Sequence, residues 1–221
     1  MRIGKGTPNP IDIAGETIEC VDYFKYLGSI KTDSADCSKD VNARIGMAKK
    51  RVLELNNIWK DTNIRKELKI KLMKCLVWTV MTYGAEGWTL RKRDEKKINS
   101  AEMWFYRRLL RVSWKQKRTD ENILTELGVK RQLLDTIKKE KLVIFGHICR
   151  NKCTLMKDII QGKMEGRRGR GRPKTAYMDN IREWTGRNNR EINAMTEDRE
   201  EWRAAVQRAV RAANVSTSDA G

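Results

Sequence analysis

Two pairs of adjacent carboxylates, Asp94-Glu95 and Asp120-Glu121, are the groups in this sequence best suited by type and spacing to hold catalytic Mg²⁺. Phosphoryl transfer by two metal ions needs at least two such side chains converging on one site. Both pairs, however, stand where a helical pattern begins, and acidic residues in a first turn complement the helix dipole. They are read as helix starts. A second constellation is His147-x-Cys149-x₃-Cys153. A structural zinc site takes four ligands, only three lie here, and the spacing is that of no common zinc motif. Core thiols and a hydrogen-bonded imidazole fit better. With one histidine in 221 residues, a two-His metal site is excluded and a His-based triad is reduced to His147 alone. The five cysteines are odd in number, contain no C-x-x-C pair and follow no apolar leader, so reduced thiols in an intracellular protein are expected. No catalytic residue and no cofactor is assigned to this chain.

The remaining chemistry is basic. Lys and Arg number 47 against 29 Asp and Glu, a net charge of +18 that calls for a polyanionic partner, nucleic acid above all. The densest stretch runs from Gly162 to Lys174 and carries Arg167, Arg168, Arg170, Arg172 and Lys174. Its interleaved glycines disfavour a helix and leave the backbone extended. Arg170-Gly171-Arg172-Pro173 resembles the core of an AT-hook, in which arginines lie in a narrow minor groove. A flexible basic linker touching phosphates without sequence preference is the other reading. Further forward, Arg44, Lys49 and Lys50 form either a solvated face or one that tracks phosphates. Trp104 and Tyr106 stand among Arg107, Arg108 and Arg111, a mixture able to stack bases, although helical spacing favours core plus solvated edge for Trp104.

These residues need a scaffold. Thr17–Val21 and Tyr23–Leu27 are short alternating runs around Asp22, which predicts a small β-hairpin or meander behind a Gly/Pro-rich lead-in. From Ser38, taken as an N-cap, the period becomes helical: Val41, Ile45, Ala48, Val52, Leu55 and Trp59 form one stripe. A second helix is expected from Ile64 to Thr82, with Leu68, Leu72, Cys75, Leu76, Thr79 and Tyr83 buried. A third is expected from Arg93 to Val112 on Ile98, Ala101, Phe105, Leu109 and Val112. A short helix from Thr119 should stop at Gly128. A longer one, Lys130 to Arg150, should bury Leu133, Leu134, Ile137, Ile144, Phe145 and Ile148 and expose Lys138, Lys139 and Lys141. Thr175 and Thr196 should start the last two helices, the first ending at Gly186. No apolar run approaches the ~20 residues of a membrane span. The expected class is therefore mainly α, with a small N-terminal β element.

Several stretches resemble, in consistent order, the C-terminal part of LINE-type (non-LTR) retrotransposon reverse transcriptases. They are Phe24-Lys25-Tyr26-Leu27-Gly28-Ser29-Ile30, Arg44 to Ala48, Tyr83-Gly84-Ala85-Glu86-Gly87-Trp88-Thr89-Leu90 and Glu102 to Arg108, then Lys130 to Leu134, Phe145 to Ile148, Gly166 to Pro173 and Glu183 to Gly186. The resemblance implies the end of a palm with a primer-grip-like hairpin over 1–32 and a thumb-like helical bundle over 38–114. A helical connection over 115–160, a basic Gly/Arg linker over 161–175, C-terminal helices over 176–213 and a tail over 214–221 complete it. Members of that family carry an upstream endonuclease and a palm with an Asp pair that holds Mg²⁺, and neither is in this sequence. The Cys/His spacing of the zinc knuckle of some relatives is missing too. Met1 to Ile3 resembles the middle of a palm strand, which implies an internal Met of a longer reading frame. The implied role is to bind template–primer or target DNA without catalysing, beside the missing palm, in the nucleus and away from membranes. The implied binding residues are Phe24, Lys25, Tyr26, Leu27 and Gly28 on the hairpin, Arg44, Lys49 and Lys50 on the thumb, and Arg167, Arg168, Arg170, Arg172 and Lys174. A domesticated AT-hook-like DNA-binding protein and a translated relic without activity are the alternatives.

Overall fold

The computed structural model describes residues 11–13, 15–18, 21–33, 36–151, 154–161 and 176–215. The fold is mainly α with a small N-terminal β element, as the periodicities predict. Two antiparallel hairpins come first. β1 (Ile11–Ile13) pairs with β2 (Glu16–Ile18), and β3 (Tyr23–Tyr26) pairs with β4 (Ser29–Thr32) so that Tyr23 faces Thr32 and Tyr26 faces Ser29. Eleven α-helical segments follow among the described residues.

Helix α1 (Ser38–Glu54) buries Val41, Ala48 and Val52 completely, the stripe read from sequence, and the short α2 (Asn56–Lys60) adds Trp59. Ser38 is not the N-cap. Cys37 holds that position, and the Ser38 N–H donates to Asp36 Oδ1 at 3.0 Å instead. The next helical run comprises α3 (Lys66–Met73), a π-helical turn over Lys74–Trp78 and α4 (Thr79–Thr82). Its inner face differs from the expected one. Ile70, Met73, Val77, Trp78 and Met81 are buried, whereas Leu68, Cys75, Thr79 and Tyr83 are exposed. Apolar residues occupy two sides of this run, and the wider π turn changes which side meets the core.

Helix α5 (Lys92–Leu109) buries Ile98, Ala101, Phe105 and Leu109 as predicted. Thr119 caps α6 (Asp120–Leu127) through its side chain, and Gly128 closes it at φ +63°. Helix α7 (Leu133–Arg150) is the central strut. Its start is capped from another helix: the Glu102 carboxylate accepts from the Gln132 and Leu133 N–H groups at 2.9 and 3.2 Å. Lys138 and Lys141, expected outside, are buried; Ile144, expected inside, is 40% exposed.

The amphipathic α8 (Thr154–Gln161) leaves Leu155, Met156 and Ile159 exposed. Helix α9 (Tyr177–Thr185) begins after Ala176, whose N–H is held by Asp179, and ends at Gly186 with φ +64°. Thr196 does not open the final helix. It is buried near the end of α10 (Asn189–Glu197), which Asn188 caps, and Asp198 accepts the first free N–H groups of α11 (Arg199–Val215). Helices α7 and α11 run antiparallel, since Arg150 reaches the Thr196 carbonyl while the Trp202 indole reaches that of Leu142. At their crossing, Gly146 lies so close to the Trp202 ring that a Cβ would overlap it. No helix among the described residues is long and apolar enough to cross a membrane.

Candidate nucleic-acid interface

The β3–β4 hairpin cannot stand alone, because two short strands bury too little. Three bonds bolt it to the helices. Asp40, 2% exposed on α1, accepts from the Ile30 N–H through Oδ1 at 2.8 Å and from the Trp88 indole through Oδ2 at 2.7 Å. Arg44, one turn on, donates from Nη2 to the Gly28 carbonyl at 2.7 Å while its guanidinium stacks 4.5 Å from the centre of the Tyr83 ring. The Tyr83 hydroxyl then donates to the Leu27 carbonyl at 3.2 Å. The tip turns through Leu27 at φ +46° and Gly28 at φ +80°. A side chain at Gly28 would be strained there and would crowd Arg44 and Tyr83.

This anchoring decides which way the strands present their side chains. Ser29 and Thr32 are buried. Tyr23, Phe24, Tyr26 and Leu27 are exposed, Leu27 by 75%, with Lys25 and Lys31 among them. Lys39 on α1 lies 5.1 Å over the Tyr23 ring. Tyr23 and Lys25 share one face of the hairpin, and Phe24, Tyr26 and Lys31 the other; on each, a ring left in solvent beside a lysine can stack a base while phosphates are neutralised.

The segment before α1 is pinned as well. Asp36 binds Arg91 and Arg93, each at 2.9 Å. Burial works against its charge, but the Ser38 hydrogen bonds and the two arginines outweigh that and hold its carboxyl at about 2.

A second basic–aromatic cluster lies on the other side of α1. Lys49 sits 5.4 Å over the Trp104 ring and Arg108 sits 5.0 Å from the same ring. Arg44 and Lys49 are five residues apart, about 140° around the helix. The structure therefore joins Phe24 to Gly28 with Arg44 and joins Lys49 with Trp104 and Arg108, but it does not gather Arg44, Lys49 and Lys50 on one face. Lys50 is exposed. Arg44 is 6% exposed, and its guanidinium faces the Gly28 carbonyl and the Tyr83 ring. Arg167, Arg168, Arg170, Arg172 and Lys174 lie outside the described residues, as does Cys153 of the candidate metal constellation.

The carboxylate pairs serve structure. Asp94 is fully buried and accepts from the Ser38 hydroxyl at 3.0 Å. Asp120 is clasped by Arg107 and Arg131, each at 2.6 Å.

A different polar node, not foreseen in the sequence, joins α7 to α9 and to the Trp88–Leu90 segment. Lys141 is fully buried and donates to the Trp88 carbonyl at 2.6 Å and to Asn180 Oδ1 at 3.0 Å, with the Tyr177 ring 3.9 Å away. Asn180 pairs in turn with the Leu90 N–H and carbonyl, both at 2.8 Å. Burial pushes the Lys141 amine down to about 7. One signal could have revealed it: Lys141 sits on the stripe defined by Ile137, Phe145 and Cys149.

Comparison with known proteins gives one informative match. The chain is similar to an uncharacterized transposon-derived protein of Caenorhabditis elegans, 26% identical over 161 residues, which is 67% of this chain and 57% of the relative. The chain thus spans little more than half the length of the relative it matches. No family model matches the chain, and no solved structure does.

Proposed function

We propose that this chain is the part of a LINE-type retrotransposon reverse transcriptase that follows the catalytic palm, and that it holds a template–primer duplex or target DNA without polymerising. The observation that carries this reading is the β3–β4 hairpin: a rigidly bolted backbone that turns Tyr23, Phe24, Tyr26 and Leu27 out to solvent beside Lys25. Burying those side chains in the chain's own core would be the default for their type, so their exposure asks for a partner. A polyanion suits the chain's net charge of +18, and the likeness to a transposon-derived protein supports the same origin. The Mg²⁺ of the parent reaction then belongs to carboxylates of the absent palm, and a nuclear location follows from a DNA target.

The test is binding of a fluorescent RNA–DNA primer-template duplex to the purified chain, followed by anisotropy. Replacing Phe24 and Tyr26 together by Ala is expected to weaken binding by roughly tenfold or more, since stacking contributes about 1–3 kcal/mol per base. Thermal unfolding should stay unchanged. Undiminished affinity would overturn the hairpin's role, and template-dependent primer extension by this chain would overturn the non-catalytic half of the proposal.

A further inference from the structure

The antiparallel pair α7 and α11 leaves an open groove of ≈ 780 Å³ on the side away from the Lys141 node. Its floor is apolar. Val143 and Ile144 are 49% and 40% exposed on α7, and Val206 of α11 lies opposite. Its rim is basic: Lys139 and Arg150 stand on α7, Arg199, Arg203 and Arg211 on α11, and no acidic residue lines it. Arg203 shares its charge with Glu200 at 3.1 Å, which still leaves four cations around the floor. Among the described residues nothing covers it.

We infer that this groove docks an amphipathic helix with acidic flanks, supplied by a protein partner. Three features select that occupant. The rim from Lys139 to Arg150 spans eleven residues, about 16 Å along α7, which is three turns of an opposing helix. The apolar floor fits side chains at i, i+3 or i+4 and i+7 of such a helix. The one-signed rim fits carboxylates on its two shoulders. Nucleic acid fits less well. Phosphates would lie over valine and isoleucine, and the ring beneath, Trp202, is 3% exposed with its indole N–H spent on the Leu142 carbonyl at 3.0 Å, so it offers no face for stacking.

The probe is a 14-residue peptide with leucines at helical spacing and glutamates elsewhere, compared with a scrambled peptide of identical composition. The intact chain should bind the patterned peptide at least tenfold tighter than the scrambled one. Bound peptide should protect residues 139–150 and 199–211 from hydrogen exchange. Val143→Asp with Ile144→Asp should abolish the preference. These side chains are half in solvent, so the variant is expected to keep its thermal transition. Arg199→Glu with Arg211→Glu provides an independent variant that leaves the floor intact, and it should weaken the patterned peptide by tenfold or more. Equal binding of the two peptides would overturn the proposal. So would loss of duplex affinity in the Val143→Asp, Ile144→Asp variant, which would make the groove a nucleic-acid contact. A concentration-dependent dimer dispersed by that variant would assign the groove to a second copy of the chain.

Discussion

The β3–β4 hairpin and the α7–α9 node both set aromatic rings among basic side chains, and the two are built inside out relative to one another. At the β3–β4 hairpin the rings of Tyr23, Phe24 and Tyr26 face solvent. The cation that orders them, Arg44, is buried and spends a hydrogen on the Gly28 carbonyl. At the α7–α9 node the cation is again inside, but Tyr177 and Trp184 close around it, and the ammonium of Lys141 spends its hydrogens on Trp88 and Asn180. Composition alone would rank the two alike. The difference is what the buried cation holds: in one case a turn whose side chains point away, in the other the loop and helix that cover it. Only the first leaves ring faces free to stack on a ligand.

The largest expected effect tests how closely α11 packs on α7, the helix that carries Lys141. Gly146→Ala should destabilise the chain by about 3 kcal/mol, because the added methyl overlaps the Trp202 ring. Elsewhere in a helix the same change would stabilise by about 1 kcal/mol, so a raised melting temperature would refute the close crossing. Next is Asp40→Ala, which strips the Ile30 N–H and the Trp88 indole of a charged acceptor. A loss of roughly 2–3 kcal/mol is expected, together with weaker duplex binding. The hairpin substitutions Phe24→Ala and Tyr26→Ala should impair binding alone. If Asp40→Ala left binding intact, the bolted hairpin would not be what presents the rings.

The third test concerns acidity. The Lys141 amine titrates near 7 in the folded chain against 10.5 in the unfolded one. Below that range both states are protonated; within it only the unfolded chain keeps the proton, so stability rises with pH. Thermal unfolding measured from pH 6 to pH 9 should show a melting temperature that climbs more steeply in the native chain than in Lys141→Met. Parallel curves would mean the amine is hydrated. The smallest effect is expected at the far side of α1. Lys49→Ser should move stability by less than about 0.5 kcal/mol and lower the salt slope of duplex binding by up to about one.

Two helix C-termini were legible, because Gly128 and Gly186 are needed where the backbone turns left-handed, and a glycine after an apolar stripe is a local signal. Helix faces were legible where one stripe was apolar, as in α1 and α5. They were not where two were. Leu68, Leu72 and Leu76 compete with Ile70, Met73 and Val77 over the same turns, and the choice falls to tertiary packing. Arg44 and Lys141 share one overlooked pattern. Each is a cation on an otherwise apolar stripe, Arg44 between Val41 and Ala48 and Lys141 between Ile137 and Phe145. Reading Arg44 as solvated or phosphate-bound and Lys141 as exposed hid both anchors. The exposed hairpin rings were named from sequence through a resemblance, but their bolts on Asp40, Arg44 and Tyr83 lie 10, 16 and 56 residues away from their backbone partners and carry no local mark. Helix α10 has no counterpart in the sequence reading, which assigns no element between Gly186 and Thr196, although Asn188 is its cap.

The distance between the hairpin and its bolts also orders events during synthesis. Ile30 leaves the ribosome 58 residues before Trp88, the residue that shares its Asp40 anchor. At translation rates of about 5–20 residues per second, the nascent hairpin waits roughly 3–12 s for the indole that holds its Asp40 anchor in place. Its exposed rings are then available to chaperones before any duplex can claim them. A stalled chain ending at Thr82 should show no amide protection at Ile30, and one extended past Leu109 should regain it.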